Sequence, residues 1–349
     1  MPGEWFIKSI SGACGNCESV LIVKHLQNLM KLIVQIPCYN EAETLPQTVR
    51  DIPRQIEGID QVEVLIVDDG STDETISIAK EMGVEHIVQN IKNMGLATTF
   101  FIGLNASLKL GADIIVNTDG DNQYQGQDIP RLIGPILKGE ADMVVGDRNT
   151  DKLSHFSGSK RKLQKLGSFM VRLLSDTDVI DAVSGFRAFS REAAMQTNIV
   201  SDFSYTIETI IQGSNKRMVI ANIPVGTNPV TRKSRLSSST SRFIARSLAT
   251  MIRSFTMYRP LRVFLYIGLL LILGGLIPSV RFLIYYMAGE SAGHIQSLIL
   301  AAVLFITGFQ VLMIGLVADI LSLNRRLIEE TLFRVKRIEL DHLTPPPKP

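Results

Sequence analysis

Two long uncharged apolar runs constrain this chain more than any other feature of its sequence. Residues 263–280 are interrupted mainly by glycines and Pro278, and residues 295–318 have Gln296 and Gln310 as their most polar members. A helix needs about 20 apolar residues to cross the hydrocarbon core of a bilayer. The first run reaches that length with little to spare. We therefore predict two membrane-spanning helices rather than a pair of buried core helices.

Basic residues are distributed unevenly around these two runs. The connecting stretch contains Arg281 and no lysine, whereas basic residues flank the outer ends of the runs: Arg253, Arg259, Arg262, Arg325, Arg326, Arg334, Lys336 and Arg337. Cytoplasmic flanks of membrane helices carry an excess of Lys and Arg. This distribution predicts that both termini, and therefore the large N-terminal part, face the cytoplasm.

Residues 229–262 carry eight basic residues and no acidic one, although the net charge of the whole chain is only +2. Within this stretch, residues 241–259 place apolar side chains near helical spacing between Arg242, Arg246 and Arg253. A basic amphipathic helix of this kind binds the headgroup region of anionic membranes. We predict an interfacial helix here, the alternative being an ordinary surface helix. The small net charge argues against nucleic acid as a partner.

Apolar strand patterns alternate with helical patterns from residue 31 onwards. Predicted strands cover residues 32–36, 62–67, 86–88 and 113–117, and predicted helices cover 43–56, 72–82 and 95–110. Such alternation is typical of an α/β fold, a mostly parallel sheet with helices on both faces. Ligands of these sheets bind at the carboxyl ends of the strands. Three polar motifs follow predicted strands, at residues 37–41, 68–73 and 119–123.

The third motif, Asp119-Gly120-Asp121-Asn122-Gln123, suggests a divalent cation site. Carboxylate and amide oxygens at this spacing suit Mg²⁺ or Mn²⁺, which bridge protein carboxylates to phosphate oxygens. In the second motif, Asp68 or Asp69 can accept hydrogen bonds from a base or ribose, and Ser71 is suited to cap the following helix. Neither a G-x-G-x-x-G nor a P-loop motif is present, which argues against dinucleotide cofactors and P-loop hydrolysis.

Six motifs together resemble the inverting family 2 glycosyltransferases. They are P-C-Y-N-E at residue 37, V-D-D-G-S-T-D at 67, N-M-G-L at 93, D-G-D-N-Q at 119, G-D-R at 146 and S-G-F-R-A-F at 184. Their order is most similar to the dolichyl-phosphate mannose synthase branch, which transfers sugars to polyprenyl phosphates. The resemblance covers about residues 30–260. It implies a GT-A (Rossmann-like) catalytic domain in a bacterial or archaeal cell membrane.

The resemblance also implies roles for individual residues. The nucleotide-sugar donor, a UDP- or GDP-sugar, would be bound by Pro37, Tyr39, Glu41, Asp68, Asp69, Gly95, Asp119, Arg148 and Arg232. The divalent cation, Mg²⁺ or Mn²⁺, would be held by Asp119, Asp121 and Gln123. Arg161 and Lys162 would bind the acceptor phosphate, and Asp121 and Arg148 would be the catalytic residues. The basic loop around Arg232 departs from the glycine-containing version of some relatives.

These expectations divide the chain into five parts. They are an N-terminal extension (1–29), a GT-A domain (30–230), a basic loop with the interfacial helix (231–260), two transmembrane helices (261–322) and a cytoplasmic tail (323–349). Cys14 and Cys17 form a C-x-x-C pair in the extension, but structural zinc requires four ligands and no second pair accompanies them. Oligomeric state is not encoded in any motif, and a homo-oligomer is compatible with the sequence.

Transfer to a phosphate acceptor would proceed by single displacement with inversion. A phosphate monoester has a second pKa of about 6 and is largely dianionic at neutral pH, so it can attack without a strong base. A catalytic role for Asp121, Asp147 or Asp181 is left open, as is the role of Arg187, which either braces residues 181–189 or contacts substrate. The donor sugar cannot be read from these motifs.

Three other functions remain open on sequence grounds. A transferase of the same fold could act on a lipid hydroxyl or extend a polysaccharide, although processive synthases carry a Q-x-x-R-W motif and the only tryptophan here is Trp5. A nucleotidyltransferase is the second alternative. The third is a non-catalytic membrane protein that binds a nucleotide-sugar, against which the intact acidic motif argues.

Overall fold

The computed structural model describes residues 29–148, 177–200, 205–229, 249, 253, 256–258, 260–289 and 295–343. The N-terminal extension 1–28, the acceptor-phosphate candidates Arg161 and Lys162, and Arg232 with its basic loop lie outside these residues. Most of the predicted interfacial helix also lies outside them, as does the C-terminal end beyond residue 343.

A seven-stranded sheet forms the centre of the N-terminal α/β domain. Its strands are β1 (Lys31–Cys38), β2 (Gln61–Asp68), β3 (His86–Gln89), β4 (Ile114–Asn117), β5 (Met143–Asp147), β6 (Arg187–Ser190) and β7 (Ile220–Pro224). Their spatial order is β3-β2-β1-β4-β6-β5-β7. All pairs are parallel except those of β6, which runs antiparallel to β4 and β5. The mostly parallel sheet predicted from the sequence is confirmed.

Helices cover both faces of this sheet. They are α1 (Leu45–Asp51), α2 (Thr75–Glu81), α3 (Leu96–Lys109), α4 (Ile129–Leu137), α5 (Arg191–Gln196) and α6 (Tyr205–Asn215). Side chains of β1 alternate between two apolar cores, Ile33 packing with α3 and α6 and Leu32 packing with α1 and α4. The central strands are thus buried on both faces, as their continuous apolar runs predict.

Two helix boundaries differ from the sequence prediction. Helix α1 ends at Asp51 instead of reaching residue 56, because Ile52 precedes Pro53 and adopts an extended backbone with ψ of 119°. Helix α2 begins at Thr75 instead of residue 72, and Ser71 is not its N-cap. The Ser71 hydroxyl instead accepts the backbone N–H of Asn40 at 2.8 Å. This contact joins the motif after β2 to the motif after β1.

The C-terminal part forms a hairpin of two long helices, α7 (Pro260–Met287) and α8 (Ile295–Leu343). Both are long and apolar enough to cross a membrane, and only 11% and 17% of their most apolar stretches are buried. Low burial distinguishes them from the core helices of a soluble domain. The region expected to be a tail after residue 322 is helical up to Leu343, because α8 continues without interruption.

The continuation of α8 packs against the α/β domain. Leu340 is buried, Phe333 packs on the core formed by α3 and α6, and Glu329 pairs with Lys216 at 3.0 Å. Lys336 lies over the Phe101 ring and donates to the side chain of Asn198. A single helix therefore runs from the apolar hairpin to the α/β domain.

Candidate active site

The three polar motifs meet at the carboxyl edge of β1, β2 and β4. The β1–β2 register pairs Cys38 with Asp68, and the β1–β4 register pairs Gln35 with Asn117. Each motif thus begins near the last paired residue of its strand. Because these strands are parallel, their carboxyl ends lie at the same edge of the sheet. The structure brings together the motifs that the sequence placed at separate strand ends.

Asp119 is the most electrostatically strained member of this edge. Burial, followed by the neighbouring Asp121 carboxylate, raises the pKa of Asp119 to about 7, and Glu41 adds to the effect. A partly buried carboxylate beside other carboxylates is stabilised by a cation. Within the described residues, no three His, Cys, Asp or Glu side chains cluster as an all-protein metal site. Two carboxylates plus oxygens from a bound ligand are the arrangement that fits Mg²⁺ or Mn²⁺.

The loop of residues 119–124, here called the acidic loop, is packed tightly against the motif after β1. The hydroxyls of Thr44 and Thr48 donate to the carbonyl of Gly120, at 2.8 and 3.2 Å. A methyl group at Gly120 would lie 3.2 Å from both the Cys38 sulfur and Glu41 Cγ, so glycine permits this approach. The backbone N–H of residue 123 donates to the Asp121 carboxylate at 3.1 Å.

Asp68 and Asp69 have different surroundings although they are neighbours. Asp68 accepts the Ser71 N–H, and its Oδ1 is buried with no hydrogen-bond partner among the described residues. Asp69 accepts the backbone N–H groups of Met94 and Gly95, at 2.8 and 2.9 Å. The carboxylate of Asp69 therefore holds the loop before α3. The unpaired oxygen of Asp68 makes it the better candidate acceptor for a donor N–H or hydroxyl.

Arg148 and Asp181 form a buried ion pair at the end of β5. The guanidinium donates to both carboxylate oxygens of Asp181, at 2.7 and 3.0 Å. Burial opposes the charged form of Arg148, but the pairing with Asp181 outweighs it and raises the pKa of Arg148. Asp181 is thus committed to a cation, which makes it a poor general base.

Arg187 is fully buried and braces the loop of residues 181–186 instead of pairing with a carboxylate. It donates to the backbone carbonyls of Ala182 and Ser184 on that loop, and to the carbonyl of Thr206 on α6. Burial lowers the pKa of Arg187 to about 10, so it remains cationic at neutral pH. Of the two roles left open for Arg187, these contacts support the bracing one.

Two buried tyrosines that no motif singled out lie where the loop of residues 181–186 meets the acidic loop and the end of β4. Tyr124 accepts the N–H of Gly185 at 2.9 Å and stacks on Phe186. Tyr205 accepts the side-chain N–H of Asn117 at 3.0 Å. A methyl group at Gly185 would lie 2.9 Å from both Asp119 and the Tyr205 hydroxyl. Their apolar positions in the sequence made these tyrosines look like ordinary core residues.

The remaining predicted site residues fall on the same edge. Pro37 is buried in β1, and Tyr39, directly after the strand, is 39% exposed and able to stack on a base. Gly95 has φ of 88°, a conformation that favours glycine, where its N–H meets Asp69. The structure thus places Asp119, Asp121, Gln123, Glu41, Asp68 and Arg148 around one edge. Contacts of these residues with substrate stay a prediction.

Comparison with known proteins identifies two regions of this chain. Residues 33–197 match the family described as glycosyl transferase family 2, and residues 259–323 match the GtrB C-terminal hairpin. The UDP-N-acetylglucosamine--dolichyl-phosphate N-acetylglucosaminyltransferase of Methanococcus voltae is 30% identical over 55% of this chain and 83% of its own length. Glycosyltransferase AglJ of Haloferax volcanii is 28% identical over 87% of this chain and 95% of its own.

A solved structure supports the fold assignment. Glucosyl-3-phosphoglycerate synthase from Mycobacterium tuberculosis, crystallised with Mn²⁺, UDP-glucose and phosphoglyceric acid, aligns with a TM-score of 0.53. The alignment covers 65% of this chain and 80% of that one at 21% identity, so the similarity is one of fold. The sequence match and the fold agree with the chemistry of the acidic edge, meaning the carboxyl ends of β1, β2 and β4 with the polar motifs that follow them. The chain is a glycosyltransferase that belongs to family 2 and carries a GtrB-type C-terminal hairpin.

Proposed function

We propose that this glycosyltransferase transfers a sugar from a nucleotide-sugar to a polyprenyl phosphate at the cytoplasmic surface of a membrane. The observation that carries the proposal is the unbroken α8, which joins an apolar hairpin to the catalytic domain. This connection ties the catalytic domain to a bilayer, where a lipid-linked acceptor is concentrated. The dolichyl-phosphate relative from M. voltae, named for such a transfer, supports the same acceptor class.

Asp119 and Asp121 would hold the divalent cation on the donor diphosphate, with Gln123 as a further oxygen ligand. When bound, the cation would neutralise the negative charge that develops on the leaving nucleoside diphosphate. Asp68 would accept a hydrogen bond from the nucleoside through its unpaired Oδ1, and Tyr39 would stack on the base. The ion pair with Asp181 would keep Arg148 charged and directed toward phosphate.

The transfer is a single displacement. An oxygen of the acceptor phosphate forms a bond to the anomeric carbon, while the bond from that carbon to the diphosphate oxygen breaks. The electron pair leaves with the nucleoside diphosphate, and no proton must be removed because the acceptor is dianionic. An α-linked donor therefore yields a β-linked product. Because no base is required, the ion pair of Asp181 with Arg148 does not interfere with this mechanism.

The direct test incubates membranes containing the protein with a panel of radiolabelled UDP- and GDP-sugars and with undecaprenyl or dolichyl phosphate. We expect label in the organic extract that depends on Mg²⁺ or Mn²⁺ and is lost with the Asp121→Asn variant. The donor that gives this label identifies the sugar. If no donor gives lipid-linked sugar, the proposed acceptor is wrong.

The same assay distinguishes the other candidate functions. A hydroxyl acceptor would give a glycolipid that survives the mild acid that cleaves a glycosyl phosphate. A nucleotidyltransferase would release pyrophosphate instead of a nucleoside diphosphate. A binding protein without catalysis would retain labelled donor and form no product.

A further inference from the structure

Asn228 contacts the acidic loop from the opposite side of the site, although no sequence motif includes it. It lies shortly after β7, and its backbone N–H donates to the carbonyl of Gln123 at 2.9 Å. Its side-chain Nδ2 lies 3.0 Å from the carbonyl oxygen of Asn122 and 3.4 Å from that of Tyr124. Three consecutive residues of the acidic loop are therefore held by this one asparagine.

The backbone at Asn122 requires such support. Its φ is 54°, in the left-handed region that non-glycine residues seldom adopt. Asparagine tolerates this conformation better than most residues, but the surrounding contacts must maintain it. The side chain of Asn228 reaches both polar oxygens of Asn122, the carbonyl at 3.0 Å and Oδ1 at 3.3 Å.

Additional backbone contacts anchor the segment that carries Asn228. Thr227 forms an isolated bridge with Tyr124, and the N–H of Gly226 donates to the Asp128 carboxylate. A methyl group at Gly226 would meet the end of the Gln125 side chain, so the two segments pack closely there. The segment after β7 is therefore bonded both to Tyr124, the last residue of the acidic loop, and to Asp128 beyond it.

The acidic loop is consequently held at two points. The hydroxyls of Thr44 and Thr48 hold Gly120, and Asn228 holds residues 122–124. Asp121 lies between these two points. Its spacing from Asp119 therefore depends on both.

We propose that Asn228 is a positioning residue that keeps the acidic loop in the bent conformation in which Asp119 and Asp121 can share one divalent cation. It acts through the loop and contacts neither cation nor substrate. The inference rests on the proposed cation role of these two aspartates. Residues that orient metal ligands in this way typically change metal affinity about 10- to 100-fold when they are replaced.

The test uses the full-length protein in lipid nanodiscs and Mn²⁺ alone as the probe, with free Mn²⁺ followed by electron paramagnetic resonance. We expect Asn228→Ala to raise the Mn²⁺ dissociation constant about tenfold. Asn228→Asp keeps the size of the side chain but cannot donate, and it should weaken binding at least as much. Asn105→Ala, which removes one hydrogen bond to the Phe101 carbonyl on α3, is the matched control and should leave binding unchanged.

Two further measurements distinguish positioning from general destabilisation. In the transfer assay, Asn228→Ala should raise the Mn²⁺ concentration for half-maximal activity about tenfold, while kcat at saturating Mn²⁺ changes much less. In hydrogen exchange without metal, the peptide covering residues 119–125 should exchange faster in Asn228→Ala than in the wild type, with α3 unaffected.

The outcomes distinguish failure of the positioning role of Asn228 from failure of the proposed cation site. Unchanged Mn²⁺ binding and unchanged exchange in folded Asn228→Ala or Asn228→Asp protein would overturn the positioning role. If the wild type binds no Mn²⁺, or if Asp121→Asn binds it equally well, the proposed cation site is wrong. In that case the exchange measurement still decides whether Asn228 holds the loop.

Discussion

The acidic edge and the apolar hairpin are held together by different physical means. At the edge, buried polar groups such as Arg187 and Asp69 satisfy several backbone groups each. In the hairpin of α7 and α8, glycines allow close contact: a methyl group at Gly268 would lie 2.8 Å from Leu312 and 3.0 Å from the carbonyl of Gly308. The comparison teaches that the edge depends on hydrogen-bonding groups in fixed directions, whereas the hairpin depends on side-chain size.

The largest expected effect is a loss of transfer activity, and it lies at the acidic edge. Asp121→Asn retains the shape of the side chain but removes its charge, so we expect transfer to fall at least about a hundredfold with little change in stability. Initial rates at saturating Mn²⁺ measure this effect. Asp51→Asn, at the end of α1, removes a charge that takes part in an exposed hydrogen bond with Gln47; it is the control and should remain fully active. Equal activity of the two variants would contradict the role given to Asp121.

The stability of the acidic edge should also depend strongly on its buried hydrogen-bonding groups. Arg187→Met deprives three buried carbonyls of donors, and we expect a loss of about 3 kcal/mol in the free energy of unfolding. The half-buried Arg191 makes one such bond, to the carbonyl of Ala112, so Arg191→Met should cost less than about 1 kcal/mol. Denaturation of both variants followed by fluorescence or circular dichroism makes the comparison. Similar losses would show that Arg187 is not a brace.

The hairpin should respond to size instead of polarity. Gly268→Leu inserts atoms where Leu312 already lies and should cost about 1–3 kcal/mol through overpacking. Gly274→Leu is the matched control on the same helix, because nothing lies within 4 Å of its added methyl group. Thermal unfolding in nanodiscs should separate the two variants. If Gly274→Leu is as harmful as Gly268→Leu, packing between α7 and α8 does not stabilise the hairpin.

The acidic edge should make the Mn²⁺ requirement of the reaction depend on pH near neutrality. The pKa of Asp119 is raised to about 7, so a proton competes with the cation below that pH and the carboxylate is free above it. We expect the Mn²⁺ concentration for half-maximal activity to be about tenfold higher at pH 6 than at pH 8. Measuring that constant across this range tests the prediction. A constant that does not vary would show that Asp119 is already ionised at pH 6.

The smallest effect is expected where the two regions meet. Lys109 and Glu339 pair at 2.8 Å between α3 and α8, but their side chains are 55% and 49% exposed. Exposed pairs contribute little, so Lys109→Ala should change stability by less than about 0.5 kcal/mol. The same unfolding measurement checks this. A larger loss would mean that α8 depends on this surface pair more than on its buried contacts.

Much of the fold was predictable because it depends on periodic apolar patterns. The strands and the mostly parallel sheet follow from those patterns, and so do the two apolar helices. The boundaries were less predictable. The helical pattern of α1 continues to residue 56, but Pro53 ends the helix at Asp51. The apolar run of α8 ends before residue 322, whereas the helix itself continues to Leu343.

The motifs of the candidate site were predictable, but the contacts that each residue within them makes were not. Adjacent aspartates 68 and 69 look equivalent in sequence, and only the structure shows that Asp69 holds the loop before α3 while an oxygen of Asp68 is unpaired. Asn228 gave no signal, because its contacts come from a segment about a hundred residues away in the chain.

The sequence by itself determined the family, the alternation that produces the sheet, and the acidic motif at a strand end. These depend on local patterns and on the types of residue in a short stretch. Only the tertiary structure decided which polar groups pair with one another, because hydrogen bonds between distant segments depend on how the chain folds back on itself. The pairing of Arg148 with Asp181, the bracing by Arg187 and the two-point support of the acidic loop are of this second kind.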